Sequence, residues 1–159
     1  MRCRTAAPRF SWTVVRSGAM SLEANKDLVR RYQDILNAGD LEALGTVVAT
    51  DIRMPTAFPG FPPGLAGATA IAAANIQMIP DFHVSIEELI GEGDRVAAFI
   101  TITGTHTREM LGIPPTGKSW SIVGMALFRI ADGKIVEHRG VGDIFSMMQQ
   151  IGALPGFGN

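Results

Sequence analysis

Asp143 carries the carboxylate best placed for acid–base chemistry. It lies between the apolar residues Val141 and Ile144, where a predicted strand meets a predicted final helix. Desolvation by such neighbours would raise the pKa of the carboxyl group, as a general base working near neutral pH requires. Aspartate is also a favoured helix N-cap. The sequence therefore leaves two interpretations of Asp143 open, a general base and a structural cap.

His106 is the histidine best placed to assist such a base. It ends a long predicted strand beside a proline-rich loop, where it could donate a hydrogen bond to a substrate carbonyl and stabilise an enolate. The alternative is a structural histidine that hydrogen-bonds the loop. His138 is out of phase with Arg139 and Asp143, so we expect it on the other face of its strand, at a helix or subunit contact. His83 begins a strand and is expected to be structural.

Arg139 shares strand parity with Glu137 and Asp143. Its charge could pair with Glu137, lower the pKa of Asp143 or bind an acidic substrate. The ion pair with Glu137 is the simplest expectation, and Arg139 remains a candidate substrate-binding residue.

Aromatic and methionine side chains could line an adaptable apolar pocket, although they could equally form core. The candidates are Tyr32, whose hydroxyl would be available to the pocket, together with Phe58, Trp120, Phe145 and Met147.

Charge and missing motifs exclude several classes of protein. A net charge of −1 argues against nucleic-acid binding, and no apolar run approaches the roughly 18–20 residues that span a bilayer. The three histidines contain no i, i+4 pair and there is one cysteine, Cys3, so we predict no metal site and no intrachain disulfide. Dinucleotide, P-loop and nucleophile-elbow motifs are missing from the sequence. We predict a cofactor-independent cytoplasmic protein that binds neither nucleic acid nor membrane.

The elements that must position these residues are helices first and strands afterwards. Periodicity predicts helices over 21–38, from 40 onward and over 67–78, a short strand over 51–54, longer strands over 82–89, 95–107, 118–130 and 135–141, and a final helix over 144–151. The proline-rich loop over 55–66 is apolar enough to lie over the domain. This order predicts an α+β fold with helices on one face of a curved, mostly antiparallel sheet, which leaves a cone-shaped pocket.

The first 19 residues differ from the rest, because they contain four arginines and no acid. An Arg-rich, acid-free segment could be a targeting peptide. We favour a disordered extension over 1–20, with translation starting at Met20, and a single domain over 21–159.

Four local strings stand out along residues 21–154. They are Tyr32 with Asn37-Ala38-Gly39-Asp40; Gly104-Thr105-His106-Thr107 with the loop Pro114-Pro115-Thr116-Gly117; the hairpin over 128–138; and Asp143 followed by Gln149-Gln150-Ile151-Gly152. In this order they resemble the nuclear transport factor 2-like superfamily, and most closely its SnoaL-like polyketide cyclase branch.

The resemblance implies a cone-shaped α+β barrel and a metal-free enzyme in which an Asp after the last strand, here Asp143, is the acid and base of an intramolecular aldol ring closure. His106 and Tyr32 would then hold the enolate of a small apolar carbonyl-bearing substrate. Arg139 stands where many relatives have Trp, a departure that argues against a bulky polyketide substrate. A second acid is missing, and so is the His that some relatives carry near Ala126, which leaves an alternative open. That alternative is a non-catalytic ligand-binding or accessory domain with the same pocket.

Other enzymes of the superfamily use carboxylates that this chain lacks. Ketosteroid isomerases resemble it at Tyr32 but need Asp residues where this chain reads near Thr56 and Ala126. A limonene-type epoxide hydrolase needs an Arg-x-Asp pair in the strand over 124–128, which contains no acid. An epoxide hydrolase-like activity is therefore our third choice.

The outer face of the last strands carries few charges that would repel a partner. Its apolar residues are Val123, Met125, Leu127 and Val136. Members of the superfamily commonly dimerise through such a face, so the resemblance implies a homodimer with an isologous contact.

Overall fold

Helices and strands follow one another in the predicted order. The structure is a computed structural model that describes residues 21–57 and 59–155, so the expectations for residues 1–20 and for Phe58 lie outside the described residues. The helices are α1 (Leu22–Ala38), a 3₁₀ helix (Leu41–Thr46), α2 (Gly64–Met78) and α3 (Ile144–Gln150). The strands are β1 (Val48–Arg53), β2 (His83–Glu92), β3 (Arg95–Thr105), β4 (Ser119–Ala131) and β5 (Lys134–Gly142). None of the helices in the described ranges is both long and apolar enough to cross a membrane.

The segment Asn37-Ala38-Gly39-Asp40 connects α1 to the 3₁₀ helix and to the sheet. Gly39 ends α1 in the left-handed conformation, with φ 69°. Asp40 caps the 3₁₀ helix, because its carboxylate accepts a hydrogen bond from the backbone N–H of Ala43. The Asn37 carboxamide bonds both backbone groups of Val84, at 2.9 and 3.0 Å. These contacts fix the end of α1 against the edge strand β2.

The strands form one curved sheet in the order β1-β5-β4-β3-β2. All neighbouring strands are antiparallel except β1 and β5, which are parallel. The sheet does not close on itself. The predicted α+β class with a mostly antiparallel sheet is therefore confirmed, in the form of an open curved sheet.

The burial pattern of β4 shows that one face of the sheet is covered. Its even-numbered residues from Trp120 to Ile130 are buried, whereas the odd-numbered ones from Ser119 to Arg129 are exposed or half-buried. Buried side chains of α1, α2 and α3 pack with the even-numbered set. We call this covered side the inner face and the opposite side the outer face.

A β-bulge decides which way the side chains of β5 point. Ile130 of β4 pairs with Ile135, but the preceding residue, Arg129, pairs with Glu137. Val136 is therefore an extra residue in β5, and strand parity reverses there.

The bulge corrects the expected position of His138. Past the bulge, His138 pairs with Phe128 of the inner face and contacts Tyr32 of α1. The expected helix contact is therefore confirmed, and the expectation that His138 faces away from the pocket side is wrong. Simple alternation counted from the buried Ile135 would place Glu137 and Arg139 inside, and the extra residue reverses that result.

The inner face carries two separate clusters of buried apolar residues. The first contains Leu28, Val29, Tyr32, Leu44, Val47, Val48, Ile52, Ala68, Ala72, Val96, Ala98, Ala126, Phe128, Ile130 and Ile135. The second contains Ile79, Met110, Trp120, Ile122, Met147 and Ile151. Between the clusters, Gly124 pairs with Gly142, and Gly140 with Ala126. These four positions contribute no side chain larger than a methyl group, and the side chains of Ile100 and Ile102 lie against Gly124.

Candidate functional site

Three aromatic rings, which we call the ring cluster, meet on the inner face beside these glycines. The rings of Phe128 and His138 stack with centroids 4.9 Å apart. Tyr32 of α1 packs edge-on to Phe128 at 5.6 Å and lies 5.9 Å from His138. Burial raises the pKa of Tyr32 to about 12 and lowers the pKa of His138 to about 4, because the charged form of each loses its hydration. At neutral pH both are uncharged groups that can donate a hydrogen bond.

His138 lies beside Gly140 on the inner face. A Cβ atom built at Gly140 would lie 3.4 Å from His138 Nε2, so this ring edge runs alongside the glycines. Sequence reasoning missed His138 as a site residue. The available signal was the adjacent apolar pair Ile135 and Val136, which interrupts the alternation of the strand.

His106 and Trp120, which we call the donor pair, place two buried ring nitrogens near the other end of the inner face. Their residues are 1% and 4% exposed, and His106 Nε2 and Trp120 Nε1 have no hydrogen-bond partner within the described ranges. Gly104 pairs with Trp120, and the backbone N–H of His106 donates to the carbonyl of Lys118. His106 directly follows the end of β3, and Trp120 is the second residue of β4, so the two residues lie close together on adjacent chain segments. A buried polar group without a partner costs about 1–3 kcal/mol, so both nitrogens are candidates to bind a ligand oxygen.

Thr116 is the hydrogen-bond partner of His106 in the following loop. His106 Nδ1 lies 3.0 Å from Thr116 Oγ1, and that oxygen also accepts from the backbone N–H of Lys118 at 3.5 Å. A hydroxyl group can donate one hydrogen bond and accept two, so in one tautomer it donates to Nδ1 and Nε2 is an N–H donor, whereas in the other Nδ1 donates and Nε2 is an acceptor. His106 thus bonds the following loop, as one interpretation expected, and its Nε2 has no partner among the described residues.

Asp143 is the N-cap of α3 and is not enclosed by apolar groups. Its carboxylate accepts hydrogen bonds from the hydroxyl of Ser146 and, at 2.9 Å, from the Ser146 backbone N–H. The residue is exposed. These hydrogen bonds lower the pKa of Asp143, because they stabilise its charged form. The expected desolvated carboxyl group with a raised pKa is wrong, and the cap geometry is the one observed.

Arg139 lies on the outer face, where its Nε donates to Glu137 Oε1 at 2.6 Å. The expected ion pair is present. The expected position of Arg139 beside the pocket is wrong, because the bulge at Val136 turns its side chain outward.

The remaining candidate residues differ in how far they are buried. Met147 is 4% exposed and packs with Trp120 in the second cluster. Phe145 is 49% exposed. Phe58 lies outside the described residues. In the part of the chain that the structure describes, no three His, Cys, Asp or Glu side chains are grouped so that they could hold a metal ion.

The proline-rich loop packs against β1 and the start of α2. Together they leave a groove of about 730 Å³ that contacts Met54, Phe61 and Ile71. Neither the donor pair nor the ring cluster lines this groove, so it is separate from the inner-face site.

The fold, in which helices cover the inner face of a curved sheet, is that of the nuclear transport factor 2-like domains. Within that class, residues 26–151 match the SnoaL-like polyketide cyclase family. The chain belongs to this family.

Named relatives are bacterial. Aklanonic acid methyl ester cyclase DnrD of Streptomyces peucetius is 31% identical over 130 residues, which cover 79% of this chain and 89% of that protein. The structure of TsrD from Streptomyces laurentii aligns with a TM-score of 0.77 and 26% identity, covering 85% of this chain and 99% of that one. IdmH from Streptomyces antibioticus aligns with a TM-score of 0.72 and 30% identity, covering 80% and 98%.

Proposed function

We propose that this protein catalyses an intramolecular aldol-type ring closure on a small, apolar, carbonyl-bearing compound derived from a polyketide. The observation that carries the proposal is the donor pair, two buried ring nitrogens on the inner face that have no hydrogen-bond partner among the described residues. The proposal takes His106 in the tautomer that carries its proton on Nε2. Family membership supports the reaction class. The name of DnrD supports a substrate class, the methyl ester of a polyketide-derived acid.

The donor pair would hold the carbonyl oxygen on which negative charge develops as the enolate forms. Apolar side chains of Met110, Ile122 and Met147 share its cluster, so hydrogen bonds there act at low dielectric. Removal of one oxyanion donor from an enzyme typically lowers kcat by about 10²–10³-fold. Two such donors would therefore supply a large part of the rate acceleration.

Asp143 is the carboxylate that we assign as the base. It takes a proton from the carbon α to the held carbonyl, and the enolate carbon attacks a second carbonyl carbon of the same molecule. The new alkoxide then takes the proton back from Asp143, so the reaction needs no other reactant.

The position of Asp143 at the start of α3 supports this role. Met147 of the same helix packs with Trp120 in the second cluster. Substrate bound beside this cluster and against the start of α3 would exclude water from the carboxylate and raise its pKa towards the range of a general base.

A second function, binding of a small ligand without catalysis, is favoured by one observation. The Asp143 carboxylate is exposed, bonded to Ser146 and lowered in pKa. A carboxyl group of that kind is a good cap and a weak base.

The variant Asp143→Asn separates the two functions. Asparagine caps a helix about as well as aspartate but cannot take the proton. We expect kcat on aklanonic acid methyl ester to fall by about 10²–10⁴-fold while the melting temperature stays nearly unchanged. Asp40→Asn is the matched control, because Asp40 also caps a helix through a carboxylate–amide hydrogen bond, and it should keep full activity.

Retention of turnover by Asp143→Asn would overturn the base assignment. If the wild-type protein binds the methyl ester without converting it, and Asp143→Asn binds it equally well, the ligand-binding function replaces the enzymatic one.

A further inference from the structure

Four arginines surround one groove on the outer face. The groove has a volume of about 470 Å³. Its charged lining consists of Arg53, Arg95, Arg129 and Arg139 with the carboxylates of Asp94 and Glu137. We call it the arginine groove.

The strand register brings these charges into a single row across four strands. Arg95 of β3 pairs with Arg129 of β4, Arg129 pairs with Glu137 of β5, and Glu137 pairs with Arg53 of β1. Like charges directly opposite each other on neighbouring strands are destabilising. The pair Arg95–Arg129 is therefore an arrangement that an anion would relieve.

The two carboxylates of the groove do not balance its four guanidinium groups. Glu137 is held between Arg139, at 2.6 Å, and Arg53, at 3.5 Å, with its side chain only 12% exposed. Asp94 lies 3.9 Å from Arg95. The six charged groups of this set therefore carry a net charge of +2.

This local excess of positive charge is unusual in a chain whose remaining residues carry more acid than base. Four of the 14 basic residues precede residue 20, which leaves ten basic residues against 15 acidic ones in the remainder. Four of those ten line the arginine groove. A chain with an excess of acid thus concentrates its arginines in one place.

The exposed guanidinium groups can still reach a ligand. The side chains of Arg53, Arg95 and Arg139 are 67%, 63% and 51% exposed. A guanidinium group presents a planar set of N–H donors that matches two oxygens of a phosphate group. Ion pairs with Glu137 already restrict the side chains of Arg53 and Arg139. These side chains therefore lose less conformational freedom when a ligand binds.

We propose that the arginine groove binds a phosphate dianion, either free or as the terminal group of a phosphate ester. The net charge of +2 matches the two negative charges of the ligand. The site lies on the outer face, so its occupation does not depend on the proposed ring closure.

Titration calorimetry of the full chain tests the site, with inorganic phosphate in one series and glycerol 3-phosphate in another, both at constant ionic strength. We expect saturable binding of one anion per chain. Arg129→Gln should weaken it by about tenfold or more, since a hydrogen bond to a charged group contributes that much. Arg95→Gln serves the same purpose if Arg129→Gln does not fold.

Arg30→Gln is the matched control, because Arg30 is an exposed arginine of α1 paired with Asp27. It should leave the affinity unchanged. Tighter binding of the ester assigns the groove to phosphate esters, and tighter binding of inorganic phosphate assigns it to the free ion. Absence of saturable binding in both series, or an equal loss in Arg30→Gln and Arg129→Gln, would overturn the proposal.

Discussion

Polar residues of the inner face and its margin differ in whether the protein satisfies their hydrogen bonds. The Asp143 carboxylate accepts two hydrogen bonds from Ser146. One nitrogen of His106 is bonded to Thr116, whereas Nε2 of His106 and Nε1 of Trp120 have no partner in the described ranges. Because unmade hydrogen bonds in a buried site are costly, these two nitrogens gain most from a ligand.

Replacing Trp120 tests the role of its N–H. Trp120→Phe keeps an aromatic ring and removes the donor, so we expect kcat to fall by about 10²-fold, as on loss of an oxyanion donor. Met110→Leu is the control, because Met110 is 5% exposed in the same cluster and offers no such donor. Steady-state kinetics and melting temperatures of both variants decide the matter. Equal losses of kcat in the two variants would show that packing, rather than the N–H, is what matters.

The lowered pKa of His138 predicts that the stability of the fold depends on pH. Its pKa is about 4 in the folded chain and 6.5 when unperturbed, so the unfolded chain binds more protons between these values. The free energy of unfolding should therefore decrease as pH falls from about 6.5 to 4, by up to about 3 kcal/mol. Urea unfolding at several pH values measures this decrease. His138→Phe should flatten the curve in that window and exposed His83→Gln should not; an unchanged slope in His138→Phe contradicts the prediction.

At the scale of elements, Gly104 lets neighbouring side chains pack directly against its strand, and this packing positions part of the site. A Cβ atom at Gly104 of β3 would clash with Ile79 Cγ2 and lie 2.9 Å from Trp120 Cζ2. The indole of Trp120 therefore lies over Gly104, and this glycine sets the position of one member of the donor pair.

The substitution Gly104→Ala should displace the indole and destabilise the fold. Overpacking of this kind typically costs about 1–3 kcal/mol. Gly45→Ala is the control, since its Cβ atom would meet only Leu65 Cδ2, at an ordinary 3.5 Å. Chemical unfolding gives the stability of both variants, and tryptophan fluorescence reports the displacement. A Gly104→Ala protein with wild-type stability and fluorescence would contradict this account.

At the scale of the whole molecule, the outer face leaves an apolar patch uncovered. Phe99, Met125 and Val141 form one row across three strands and are 41%, 53% and 66% exposed. Val123 is 50% exposed beside them. Contiguous exposed apolar side chains commonly mark an interaction surface.

We expect this patch to hold two copies of the chain together, as the family resemblance implied. Because both copies contribute the same residue to an isologous contact, Met125→Glu would bury two negative charges there. Light scattering at micromolar concentration should therefore give the mass of a dimer for the wild type and of a monomer for Met125→Glu. Leu111→Glu alters a residue that is 71% exposed in a loop and should leave the mass unchanged. A monomeric wild-type protein would refute the expectation.

The sequence by itself determined the order of the elements and the class of fold. Local signals were sufficient for this, because capping residues such as Ser21, turn residues such as Gly39 and the apolar periods of helix and strand act within a few residues. The strings that carry the family resemblance are equally local. His106 and Trp120 could be proposed as site residues because His106 directly follows a strand and Trp120 lies on the next one, and both strands were correctly recognised.

Only the tertiary structure decided which side chains face inward past residue 135. The extra residue Val136 is defined by how β5 pairs with β4, and a pairing shift reverses every later side chain. Two expectations failed for that reason, those for His138 and Arg139. A third failed because the hydration of Asp143 depends on α3 and Ser146 rather than on its apolar neighbours in sequence. The arginine groove likewise exists only because distant positions on four strands are brought into register, and register is a property of pairing between strands that no single strand contains.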